Sequence, residues 1–119
     1  MNVKSLFISL GKFVFMWGFV QIILIGAAYF GVFSSDIHAL GGLLLAIVAL
    51  VMLILALVGR MGGTIIGLTL LVLLLLIPGQ GFLLQTEGLP AYVKALHPIF
   101  GIGIMFLGRS LANRAEKLA

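Results

Sequence analysis

The sequence predicts an all-α protein: a transmembrane four-helix bundle assembled from two copies of one helix hairpin. Three observations carry this. Of the 119 residues, 63% are hydrophobic and 8% charged, which is more apolar surface than a soluble domain of this length hides in one core. That material is grouped in four stretches, each near the ~20 residues that cross a ~30 Å hydrocarbon layer as a helix. Finally, a shift of 59 positions lays Gln21 on Gln80, Leu24 on Leu83, His38 on His97 and Gly42 on Gly101. The match uses both histidines and two of the three glutamines, scarce letters in so apolar a chain.

The first span is read at about residues 13–33, after a short arm carrying Lys4 and Lys12. Its apolar run exceeds the ~7–15 residues of a signal-peptide core and no small-x-small site follows, so it is read as a retained helix. "SSD" then makes a tight turn, with Asp36 as the expected N-cap of a second span at 37–58. That span contains no ionised group over "ALGGLLLAIVALVMLILALV". After the "GRMGG" turn a third span is placed at 64–84. Pro78, Gly79 and Gly81 weaken its end, and the course of residues 78–90 is the least determined, with a kinked continuation to about Leu84 expected from the apolar "FLL". The fourth span is placed at 92–107, with Pro98 in its first turn, where a missing N–H costs nothing. Tyr92 suits an interface anchor, as does Trp17 if the first helix starts deep. Gly63, Thr64 and Gly67 are read as helix-packing residues.

Four spans put Lys4, Lys12, Arg60, Arg109, Arg114 and Lys117 on one side, and Lys94 with Asp36 and Glu87 on the other. By the positive-inside rule both termini are cytoplasmic and both histidines lie at the outer face. The net charge of +4 belongs to this topology and not to nucleic-acid binding. Absence of cysteine excludes a disulfide framework, a thiolate metal site, a C-x-x-C redox pair and covalent haem attachment.

The chemistry rests on His38 and His97. The second and fourth spans run in the same direction, and each carries its histidine about one turn inside the outer end. Both imidazoles therefore sit at similar depth, and if the helices face one another they converge on a shared centre. One non-covalent haem b with two axial histidines fits that arrangement. Gly42 and Gly101, four residues after each histidine and on the same helix face, leave room for a porphyrin edge. Zinc would be two ligands short, and copper would need Met105, two turns deeper and without a counterpart in the second span. The plainer reading is that interfacial histidines and small residues serve helix packing alone. Gln21 and Gln80 likewise carry two readings: interhelical polar glue, or a hydrogen bond to the outer N–H of an axial histidine.

The runs "VQIILIGAAYFGVFSSDIHALGGLL" and "ALHPIFGIGIMFLGRSLANRA" resemble a family of small bacterial four-span membrane proteins that carry a domain of unknown function. The resemblance implies a bacterial cytoplasmic membrane location and no particular activity. In architecture the chain is also similar to b-type cytochrome membrane subunits, which place haems between histidines of paired helices. It differs from them in offering one ligand pair where transmembrane electron carriers generally have two.

The function expected is therefore a haem-binding electron carrier working with a redox partner protein or a quinone. The alternative is a non-catalytic accessory or assembly subunit of a larger respiratory or photosynthetic complex, or a homo-oligomer. A stand-alone enzyme fits less well. A small transporter is disfavoured because no span holds an ionisable residue apart from the interfacial histidines.

Overall fold

The computed structural model describes residues 2–119 and contains four membrane-length helical rods. Helix α1 runs Val3–Tyr29 and α2 Asp36–Val58; α3, Gly63–Leu74, continues as a π-helical stretch over Leu75–Phe82; the short α4, Ala91–Lys94, leads into α5, Leu96–Glu116. α1 touches α2 and α5, and α3 touches the same two, so the rods form an up-down-up-down square with α2 and α5 on opposite corners. The bundle is 47 Å long, longer than a ~30 Å hydrocarbon layer, so the helix ends emerge from it.

Each rod buries one narrow stripe. On α1 the buried residues are Phe7, Gly11, Val14, Gly18 and Gln21. On the third rod they are Ile65, Thr69, Val72 and Leu76. On α5, Ile104, Gly108, Leu111 and Ala115 continue the pattern. Steps of three and four mark a left-handed bundle seam. Within the apolar spans the remaining surface of each rod is equally apolar and faces lipid. This is why Leu43, Ile47, Leu50 and Ile54 are well exposed on α2.

The tightest joint is α1 on α5. A Cβ at Gly11 would lie 2.8 Å from the Gly108 carbonyl oxygen, and one at Gly108 would lie 2.7 Å from Val14 Cγ1. Met105 fills the space that a side chain on Gly18 would need. Small residues on facing helices let the backbones approach, which is how membrane helices gain packing energy without a hydrophobic drive between them.

Several expectations are revised. α1 begins ten residues before the apolar run: the Asn2 side chain accepts from the Ser5 N–H at 2.8 Å and caps it. Lys12 pairs with Glu116 at 2.7 Å and Lys4 donates to the Leu118 carbonyl, so the first and last rods stay together beyond the apolar layer. Asp36 is the first residue of α2 and not its cap; its N–H donates to the Ser34 hydroxyl at 3.2 Å. Trp17 is no interface anchor. Its indole donates to the Gly41 carbonyl at 3.1 Å, and its ring stacks on Phe13. Gly63 and Gly67 have open space where a side chain would stand, and Thr64 is exposed, so none of the three packs helices. The buried polar residue of α3 is Thr69, whose hydroxyl returns to the Ile65 carbonyl at 2.7 Å.

Two helix ends share one geometry. After α1, the Val32 N–H bonds Ala27 and the Gly31 N–H bonds Ala28, with Gly31 left-handed at φ 75°. After α2, Met61 bonds Ala56 and Arg60 bonds Leu57 in the same pattern, with Arg60 left-handed at φ 49°. The fourth rod is interrupted between Lys94 and Leu96 because Pro98 has no N–H for the Lys94 carbonyl and its ring crowds that oxygen.

Gly108→Val should destabilise the protein by about 1–3 kcal/mol through overpacking against Val14. Gly67→Ala, which meets open space, should leave stability unchanged or slightly raised. Unfolding of the two variants in detergent, followed by circular dichroism, checks both.

Candidate functional site

The buried stripes stop at one level. No residue after Gln21 on α1, before Gly41 on α2, after Leu76 on the third rod or before Ile104 on α5 is buried. The buried core thus lies toward the end with both termini, and at the opposite end, where the histidines sit, side chains are half-buried or exposed.

Where the packing stops, α1 and α2 are joined by a reciprocal clasp. Gln21 Nε2 donates to the His38 backbone carbonyl at 2.9 Å, and His38 Nδ1 lies 3.1 Å from the Gln21 backbone carbonyl. A carbonyl only accepts, so this bond requires the proton on Nδ1 and leaves Nε2 as the lone-pair nitrogen. Trp17 on the Gly41 carbonyl adds a third polar tie between the same helices.

The second hairpin repeats half of this. Gln80 Nε2 donates to the His97 backbone carbonyl at 2.6 Å, across the same 17-residue separation. The Cβ direction of Gly42 points at Gln21 Nε2 and that of Gly101 at Gln80 Nε2, each at 3.6 Å. These four polar residues and two glycines occupy equivalent places, so the offset seen in the sequence is also a structural repeat. The other half of the clasp is absent: His97 Nδ1 is buried and has no partner among the described residues. The difference coincides with the π-helical stretch around Pro78, which carries Gln80 in a different backbone geometry from the regular helix at Gln21.

Both glutamine amides meet histidine backbone, not histidine rings. It is the main-chain carbonyl of Gln21 that takes the ring N–H of His38. Two contributors escaped the sequence reading. A Cβ at Gly41 would lie 2.9 Å from Gln21 Cδ, so this glycine makes room for the amide. At the matching place the second hairpin has Phe100, whose ring lies against Gly79, the residue equivalent to Val20 of the first hairpin; the bulk thus stands on the other helix of the pair. Trp17 is the other, and its single indole N–H was the available signal.

From opposite corners of the bundle, the two imidazoles meet. Their ring centroids are 6.1 Å apart with planes inclined at 54°. Both residues are half-buried. Gln21 Oε1 is also buried nearby without a hydrogen-bond partner. Among the described residues no group of three or more His, Cys, Asp or Glu side chains gathers anywhere. The two imidazoles therefore have no further His, Cys, Asp or Glu side chain gathered with them among the described residues.

Gln21→Leu should cost about 0.6–2 kcal/mol, the range for interhelical polar contacts in membranes. Gly41→Ala should cost a similar amount by displacing the same amide, and the double variant should cost less than the two combined. Equilibrium unfolding of the three variants in one detergent measures the coupling.

No curated protein and no solved structure matches the chain. Residues 21–85 do match a family described as being of unknown function, DUF6220. That stretch opens at Gln21, holds His38, Gly41, Gly42 and Gln80, and stops before His97. As the match takes in more than half of the sequence, this four-helix membrane protein belongs to the DUF6220 family.

Proposed function

We propose that the protein binds one haem b non-covalently between His38 and His97 and exchanges single electrons with a partner protein or a quinone. The spacing of the two rings carries this reading. Two imidazoles bound on opposite sides of one metal, each through a bond of about 2 Å, have ring centres roughly 6–6.5 Å apart. The observed 6.1 Å agrees. The donor set fits as well, because a porphyrin iron asks for two axial nitrogens and no further side-chain ligand.

In this reading the residues have separate tasks. His38 presents Nε2 because Gln21's carbonyl holds the proton on Nδ1. Gln21 and Gln80 fix the depth of both histidines by gripping their backbones. Lys94 is the one Lys or Arg at this end for a propionate carboxylate. A bound haem supplies one-electron chemistry, which the protein tunes through ligands, burial and hydrogen bonds. One group near one face does not take an electron across the bilayer, so the partner must dock at the histidine end.

The distribution of basic residues bears on orientation. Six of the seven Lys and Arg residues lie at the end with both termini, supporting a cytoplasmic position for that end in a bacterial inner membrane. Reporter fusions to the C-terminus and to the Gly31–Ser35 turn should give opposite sidedness.

Protein purified after expression with haem supply should show a sharp b-type α band in its reduced-minus-oxidised spectrum. His38→Ala and His97→Ala should each abolish it. A colourless wild-type preparation would sink the proposal and leave the accessory-subunit reading in its place.

A further inference from the structure

The end of the bundle that carries the termini holds a groove of about 780 Å³ between the start of α3 and the last turns of α5. Arg109, Arg114 and Lys117 line it, with Ser110, Asn113 and Thr64 between them. No Asp or Glu lines it. Glu116, the acid nearest in sequence, is taken by Lys12 on the α1 side, and that is the only ion pair among the described residues. Arg114 makes a single long contact, 3.4 Å from Nε to the Ser110 hydroxyl. Three cations thus face one concavity, and the one acid that feels any of them, Glu116 beside Arg109, is bridged to Lys12.

The groove's height matters as much as its charge. The apolar run of α5 ends at Leu107, so Arg109 stands at the membrane boundary and Arg114 and Lys117 lie one to two turns beyond it. Phe106, which also lines the groove, is 62% exposed and sits on the apolar side of Arg109. Phe106, Arg109, Ser110, Asn113 and Lys117 follow the three-and-four spacing of one helix face. That face therefore passes from an apolar ring to cations and hydrogen-bond donors, the same order as acyl chain, phosphate and polar head in a phospholipid.

We infer that this groove is a binding site for the headgroup of an anionic phospholipid. The lipid phosphate meets the Arg109 and Arg114 guanidiniums, whose planar donors suit phosphate oxygens. Lys117 adds charge, Ser110 and Asn113 reach the polar head, and an acyl chain runs down past Phe106. Basic recesses between transmembrane helices are a recognised way to hold anionic headgroups. The inference stands apart from the histidine site, which lies at the other end of the bundle.

Native mass spectrometry of the full chain in neutral detergent, titrated with phosphatidylglycerol or phosphatidylcholine, tests it. A saturable one-lipid adduct is expected with phosphatidylglycerol, and a much weaker one with phosphatidylcholine. Each groove cation removed should weaken phosphatidylglycerol binding by roughly fivefold, in Arg109→Gln and Arg114→Gln alike. Arg114→Lys, which keeps the charge and guards against a folding defect, should retain most of the binding. Arg60→Gln removes a cation from the same end but outside the groove, and as a charge that does not touch the headgroup it should change binding by less than about twofold. Equal adducts with both lipids would overturn the inference, as would an Arg60→Gln loss equal to the groove variants. Displacement of the lipid by an equal concentration of inorganic phosphate would also overturn it, revealing a site for small anions.

Discussion

Gly11 and Gly108 have no side chains, and through them the first and last helices meet backbone to backbone. Everything else in the molecule is arranged around that contact. It draws one end of the bundle into a closed seam of small and β-branched residues, extended past the apolar layer by Lys12 with Glu116 and by Lys4 with the Leu118 carbonyl. The histidines stand toward the other end, and α2 and α5 carry them there from opposite corners without approaching one another.

Polar groups mark the transition between the two halves. In a bilayer the helices are surrounded by chains as apolar as their own side chains, so burial alone does not set their relative height. The amides of Gln21 and Gln80 do, each seeking one backbone carbonyl at the level of a histidine. The contributions are modest singly, but they act at the same depth on both hairpins. They hold the imidazoles in register across a region where few side chains interlock.

Much of this was legible in the sequence, and the limits have physical causes. Four spans follow from length and composition. The histidines and glutamines stood out because a polar residue in an apolar helix has few explanations, and the offset that pairs them is the same offset that relates their hydrogen bonds in space. What stayed hidden was facing. Lipid-exposed and core-exposed positions are both Leu, Ile and Val here, so amphipathic periodicity does not separate Leu43 from Leu45, or Gly67 from Gly108. The early start of α1 was hidden because, beyond the local Asn2 cap, its support comes from Glu116 and Leu118, over a hundred residues away. Trp17 looked interfacial by type, and only the position of Gly41 on the neighbouring helix shows that its N–H is used inside.

The π-helical stretch around Pro78 has an effect beyond the shape of one rod. The two hairpins place equivalent residues alike, yet their imidazoles differ in hydrogen bonding. His38 is locked into a single tautomer by its carbonyl partner; His97, with Nδ1 unengaged, keeps both tautomers open to it. The haem proposed between them would meet a fixed imidazole on one side and an adjustable one on the other, so its two faces would not be equivalent.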